Sequence, residues 1–204
     1  MAQDIHYTQH IVADPTPLGL FGLAMVTLVA SSQKLGLTSG LSLVLPWAIF
    51  LGAFVQLIAC FFDFKHNNIF GATAFGAYAF FWFGVAMSWM VKLGVFGESL
   101  ASGADVKQLG FAFVGYLIFT LFMTVGALET NKVLLAIFVL IDLLFLGLIG
   151  DIFCLFPGAH TLAAYSELGI ALLSFYGSGA IVLNKHFGKL FLPLGKPLGI
   201  FKTL

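Results

Sequence analysis

The chain has 204 residues, of which 60% are hydrophobic and 9% charged, and its nine lysines and nine acidic residues cancel to a formal net charge of zero. Soluble domains carry about 25% charged residues, so this chain has too few polar groups to cover a water-soluble fold, in keeping with a mean hydropathy of +1.05. Disorder, which needs low hydrophobicity and high net charge, is excluded; zero net charge gives no reason to expect a nucleic-acid partner; a membrane protein in a lipid bilayer remains.

Residues 1–16 read as a polar N-terminal tail containing Asp4, His6, His10 and Asp14. It lacks a basic start followed by a short apolar run and a cleavage site, so no signal peptide is expected. His6 and His10 are spaced i, i+4, but no other strong ligand accompanies them, and no metal site is expected there. A membrane-spanning helix needs about 20 predominantly apolar residues, and charges punctuate the rest of the chain at close to that interval. The first span is expected from Pro17 to about Gln33, stopping at Lys34. The second, Leu41 to Phe62, is uncharged and ends at Asp63-Phe64-Lys65-His66. The third runs from about Phe70 to Val91 and ends at Lys92; the polar stretch Gly94 to Gln108 follows, with Glu98, Asp105 and Lys107. The fourth, Leu109 to Leu128, stops before Glu129 and Lys132. The fifth, Val133 to about Phe156, breaks at Pro157-Gly158, and the sixth covers about Leu168 to Leu183. The expectation is an all-α bundle of six transmembrane helices over residues 17–184, one compact domain without internal repeat, followed by a lysine-bearing tail at 185–204.

Six spans put both termini on one side. That side collects Lys65, Lys132, Lys185, Lys189, Lys196 and Lys202, against Lys34, Lys92 and Lys107 on the other. The positive-inside rule places both ends in the cytoplasm, with the chain in the cell membrane. Small residues crowd the third span (Gly71, Ala72, Ala74, Gly76, Ala77, Ala79, Gly84, Ala86), and Ala48 and Gly52 repeat the spacing in the second. Such faces let helix backbones approach closely, either within the bundle or between copies. Cys60 and Cys154 lie in apolar runs, where a free cysteine behaves as a small hydrophobe.

A polar group at membrane depth must face protein or water, which makes such residues the functional candidates. Gly19, Leu23, Thr27 and Ser31 share one face of the first helix; Gly52, Gln56 and Cys60 share one face of the second. The third span offers Thr73 near its start and Tyr78 deeper, with Trp82 one turn on. For the hydroxyls, a bond back to the helix's own carbonyls is the competing structural reading. Gln56 is the stronger candidate, because an amide needs several partners. Three acids lie in or near spans. Asp151 and Glu167 are expected near the outer interface, where charge costs little. Asp142 has nine apolar residues before it and eight uncharged residues after it; it is a lone intramembrane carboxylate, serving either as a proton or gating site or as a hydrogen-bonded contact between helices. No paired metal ligands, nucleophile motif or phosphate loop is present in the spans, so neither an enzyme nor a cofactor is expected.

The residues opening the first helix, Asp14-Pro15-Thr16-Pro17-Leu18-Gly19-Leu20, resemble the Asn-Pro-Ala-Pro-Leu-Gly-Leu signature of the acetate uptake transporter family, which includes the succinate–acetate permeases. Phe70-Gly71-Ala72-Thr73-Ala74-Phe75-Gly76-Ala77-Tyr78 is similar to the family's Phe-Gly-x-Thr-Ala-Phe-x-x-Tyr. The end of the last helix, Val182 to Gly188, and Leu192-Pro193-Leu194-Gly195 are also family-like. The resemblance spans nearly the whole chain. It implies a six-helix protomer assembled as a hexamer, each protomer holding its own path for acetate and related small carboxylates. It also implies a pore constriction at Tyr78, at Ile141 where the family has leucine, and at Leu23 where it often has phenylalanine. Thr27, Gln56 and Thr73 fall at polar positions of the family pattern, as substrate contacts. Asp14 and Asp142 are departures from that pattern.

The chain has no arginine, so it cannot offer the bidentate clamp that holds a carboxylate tightly. Hydroxyls, the Gln56 amide and helix N-terminal N–H groups would have to hold the ligand loosely, which suits passage. A constriction of Leu23, Tyr78 and Ile141 would resist an ion, by dewetting or by selecting the protonated acid. An anion channel and a proton-coupled permease both fit, and a membrane scaffold or sensor without transport is the alternative of a different class.

Overall fold

A computed structural model describes residues 12–201, and among these the regular structure is helical throughout. Six helices have the length and composition to cross a membrane: α1 (Thr16–Lys34), α2 (Leu45–Lys65), α3 (Ile69–Lys92), α4 (Val106–Ala127), α5 (Lys132–Ile152) and α6 (Ala159–Phe187). A one-turn helix, Glu98–Ser102, interrupts the α3–α4 connection. The protein is a multi-pass membrane protein of the expected class. His6 and His10 lie outside the described residues.

Helix starts follow from local chemistry. The first N–H groups of a helix lack intrahelical acceptors, and lipid offers none. Asp14 Oδ1 accepts from the Thr16 N–H at 2.9 Å, with Pro17 in the first turn of α1. Asn68 Oδ1 accepts from the Gly71 N–H at 3.2 Å, Asp105 from the Lys107 N–H at 2.9 Å and Asn131 from the Leu134 N–H at 2.9 Å. The connections into α3, α4 and α5 thus end in a short polar side chain that caps the next span, whereas α2 and α6 start at Val44 and Gly158 without one.

The helices follow one another around a ring: α2 packs on α1 and α3, α5 on α4 and α6, and α6 closes the ring on α1. Small residues set the distances. A Cβ on Gly22 of α1 would stand 2.5 Å from the Leu51 carbonyl oxygen of α2, and one on Gly147 of α5 would stand 2.5 Å from the Ala163 nitrogen of α6. Ala48 is buried and Gly52 lies against the Trp82 ring, so the small-residue spacing in α2 serves packing within the bundle. Between α3 and α4 the backbones stay apart, and aromatic side chains bridge the gap instead: Phe81 meets Tyr116 with ring centroids 4.9 Å apart.

Three departures from the sequence reading are informative. The last helix begins at Ala159, nine residues before the expected Leu168. His160, Thr161, Ser166 and Glu167 made this stretch look extramembranous. Glu167, expected at the interface, is instead 2% exposed, and its Oε2 lies 2.9 Å from Lys34 Nζ at the end of α1. The partner that makes its burial tolerable is 133 residues away in sequence. The α2 helix is wound as a π-helix from Ala48 to Val55, a widening that hydrophobic periodicity does not reveal. Finally, the segment after α6 is not a free tail: it folds back over the start of α5, where the Val133 N–H donates to the Leu194 carbonyl at 3.1 Å.

Candidate functional site

A cavity of about 660 Å³ opens inside the ring, at the end that carries the start of α1 and the α2–α3 and α4–α5 connections. Its wall contains Leu20 and Leu23 of α1, Gln56 of α2, Phe75 and Tyr78 of α3, and Ile137, Phe138 and Ile141 of α5. Leu23, Tyr78 and Ile141, the constriction inferred from the sequence, therefore meet on one surface, and all three are buried. The two motifs that carried the resemblance also meet. A Cβ on Gly19 would collide with the Phe75 ring, so glycine at this position lets Phe75 lie against α1 as part of the cavity wall. Pro15 is buried, while Asp14 is exposed and acts through its cap on Thr16.

Tyr78 is held by a directed hydrogen-bond chain. Its hydroxyl lies 2.9 Å from Thr120 Oγ1, and Thr120 donates to the Tyr116 carbonyl at 2.7 Å. Thr120 has one proton and spends it on that carbonyl, so Tyr78 is the donor to Thr120. The phenol proton is thus committed to α4, which leaves the apolar ring as what Tyr78 contributes to the cavity wall. The Phe119 and Phe138 rings brace it at 5.9 and 6.2 Å between centroids.

Gln56 is fully buried and lines the cavity. Its Nε2 donates to the Gly52 carbonyl at 2.7 Å, one turn back in its own helix, and its Oε1 has no hydrogen-bond partner. The orientation of the amide is fixed by that contact, because two carbonyl oxygens would repel at this distance. Gln56 therefore offers an unpaired acceptor and one remaining N–H. Among the described residues, the cavity wall includes a single ionisable carboxylate, Glu129, and no cationic side chain.

Thr27 and Thr73 are not brought into this wall. Thr27 is buried, but its hydroxyl donates back to the Leu23 carbonyl at 2.7 Å. Thr73 is exposed on the outer face of α3. Five residues separate it from Tyr78, which at 3.6 residues per turn puts it about 140° away around the helix; as a substrate contact inside the protomer it is corrected. Asp142 is likewise not part of the cavity wall. Its Oδ2 accepts from Thr124 Oγ1 at 2.7 Å, which makes it the hydrogen-bonded contact between α4 and α5, and its Oδ1 is buried without a partner. Asp151 is exposed and pairs with His160 at 3.1 Å.

Two residues escaped the sequence reading. Asp63, assigned to a connection, is 1% exposed in the last turn of α2 and accepts from Asn68 Nδ2 at 3.0 Å, securing the cap of α3. Tyr116 lines a second cavity, of about 480 Å³, between α3 and α4 toward the opposite end of the bundle. Its spacing one turn before Thr120 was the available signal. No group of three or more potential metal ligands occurs among the described residues.

This geometry can be set beside known proteins. Residues 2–194 match the GPR1/FUN34/yaaH family. The chain is 34% identical over 187 residues to the succinate-acetate/proton symporter SatP of Escherichia coli K12, covering 91% of this chain and 96% of the relative. It is 31% identical over 143 residues to acetate permease A of Emericella nidulans, covering 66% of this chain and 47% of that one. Among solved structures, that of the bacterial acetate channel SatP superposes with a TM-score of 0.82 at 31% identity, covering 91% of this chain and all of that one. On this match, the all-helical six-span chain belongs to the GPR1/FUN34/yaaH family.

Proposed function

We propose that the protein is a transporter that carries acetate and related small carboxylates across the membrane through a path inside each protomer. The observation that carries this reading is the cavity in which Leu23, Tyr78, Ile141 and Gln56 converge, in a chain similar to proteins named for acetate and succinate transport. The path runs from the larger cavity, past the Tyr78 ring, to the cavity beyond Tyr116. Uptake of labelled acetate into proteoliposomes, compared with protein-free vesicles, tests it. Equal uptake would sink transport and favour the scaffold or sensor reading.

The chemistry of Gln56 bears on which form of the substrate passes. An undissociated carboxylic acid presents an O–H donor and a carbonyl acceptor side by side. These match the unpaired Oε1 and the remaining N–H of Gln56. A carboxylate anion would satisfy the N–H but set its charge against Oε1, with no cation among the described residues of the wall to compensate. Desolvating an unpaired carboxylate is costly, and the ring of Tyr78 with Leu23 and Ile141 gives it no hydrogen-bond donor. Passage of the neutral acid moves one acetate and one proton together. On this reading a channel-like path delivers the stoichiometry of a proton symporter, and Asp142 serves as an α4–α5 tie beside Ile141 rather than as a relay.

The lysine distribution supports a cytoplasmic location for both ends. A stripe on the outer face of α3, with Thr73, Phe80, Gly84 and Met87 exposed, supports self-association, with a hexamer as the proposed state. Light scattering in detergent reads the oligomer number directly.

A further inference from the structure

The family match ends at residue 194, and the chain continues. Up to that point the segment after α6 is tightly held. The Asn184 side chain receives the Phe191 and Leu192 N–H groups on Oδ1 at 2.7 and 2.8 Å, and its Nδ2 donates to the Leu192 carbonyl at 2.8 Å. The Tyr176 hydroxyl donates to the Pro193 carbonyl at 2.8 Å. The chain is thereby delivered to the start of α5. Beyond residue 194 it crosses the α4–α5 connection. The Leu198 N–H donates to the Leu128 carbonyl at 2.9 Å, and the Ile200 and Phe201 N–H groups both donate to Glu129 Oε1, at 2.6 and 2.9 Å. Phe201 then stands on the wall of the larger cavity, beside Glu129 and Thr130.

We propose that residues 195–201 form a strap that carries Phe201 to the cavity mouth as an additional gate residue, with Glu129 as its latch. The proposal rests on the transport reading above for its consequence, but its geometry stands apart from it. Gly195, Pro197 and Gly199 give the strap no helix of its own, so its position depends on the few hydrogen bonds just named. Phe201 is 65% exposed; its ring covers the rim without being locked into the core, as a gate that must swing requires. Glu129 is the single acidic side chain on the wall, and its Oε1 is the oxygen that takes both strap N–H groups, so latch and mouth are one residue. With the strap seated, acid must pass a phenylalanine before it reaches Leu23, Tyr78 and Ile141.

The test compares the wild-type chain with Phe201→Ala, Glu129→Leu, Glu129→Gln and a chain ended after Leu194. Labelled acetate uptake is one readout. The other is independent of transport: the rate at which a water-soluble methanethiosulfonate reagent modifies Ala74→Cys, on the cavity wall, in a Cys60→Ala, Cys154→Ser background. Phe201→Ala, Glu129→Leu and the shortened chain should each raise both rates, by about tenfold if the open mouth is a minor state. Glu129→Gln retains an oxygen that accepts both N–H groups and should stay close to wild type. Should the shortened chain fail to fold, the two point variants decide. If labelling of Ala74→Cys is the same in wild type, Phe201→Ala and Glu129→Leu, the strap is no gate. Accelerated labelling in a protein that takes up no acetate would uphold the strap and overturn the transport reading.

Discussion

The rings of Tyr78 and Tyr116 lie 6.5 Å apart at an interplanar angle of 27°, and each lines a different cavity. They form a septum between the two ends of the bundle. Tyr78 is tied to Thr120, and Thr120 is tied to the backbone of Tyr116, so the septum is one hydrogen-bonded unit spanning α3 and α4. On the proposed path from one cavity to the other, the substrate has to open it.

Tyr78→Phe should keep the barrier and lose only the bond to Thr120. A net cost of about 1 kcal/mol is expected for one hydrogen bond, read as a small fall in thermal stability with acetate selectivity retained. Tyr78→Ala should remove the barrier itself. Uptake of succinate should rise relative to acetate, and an unchanged ratio would remove Tyr78 from the gate.

Gln56→Leu keeps the volume of the side chain roughly and removes both polar atoms. Acetate uptake should fall by about tenfold, the equivalent of about 1.4 kcal/mol of lost recognition. Gln56→Glu should be no substitute, since a carboxylate there loses both the N–H that binds the Gly52 carbonyl and the one left for the acid's carbonyl oxygen. Initial rates of labelled acetate uptake for the three proteins check this.

Lys34, part-buried, and Glu167, buried, join α1 to α6 as an ion pair. Removing Lys34 leaves the Glu167 carboxylate buried without its partner, at about 3–5 kcal/mol. Lys34→Met should lower the unfolding midpoint in detergent markedly, and the double variant Lys34→Met, Glu167→Leu should recover most of the loss. Equal melting of single and double variants would argue against the pair.

Much of the fold was legible in the sequence because the charged residues mark the span ends. Asn68, Asp105 and Asn131 cap the helices that follow them, and the spans they open are predominantly apolar. Long-range pairing was not legible. Glu167 reads as an interfacial acid until Lys34 is placed beside it, and that misreading delayed the start of α6. The residues proposed as a gate came from the resemblance, and the cavity that gathers them comes from the fold. Thr73 is a substrate contact on the family pattern alone, and only the fold shows that it stands on the exposed face of α3, away from the cavity. The fold-back of the segment after α6 was not legible because single side chains, Asn184 and Glu129, hold it, and the family-like Leu192-Pro193-Leu194-Gly195 does not say what it packs against.

Asp142 separates two mechanisms. Asp142→Asn preserves an oxygen to accept from Thr124 and removes the titratable group. If the neutral acid is the species that passes, the dependence of uptake on external pH should survive this substitution. A relay through Asp142 predicts that the dependence flattens. Uptake measured across a series of external pH values, for both proteins in the same lipid, distinguishes them.

The most direct test of neutral-acid passage follows acetate, protons and charge together in one proteoliposome preparation. Labelled acetate reports entry, an internal dye reports pH, and an imposed membrane potential reports charge, with protein-free vesicles giving the leak of acid through lipid. The prediction is protein-dependent acetate entry with internal acidification in step, at a rate indifferent to the potential. Acetate entry driven by an inside-positive potential, without acidification, would contradict it.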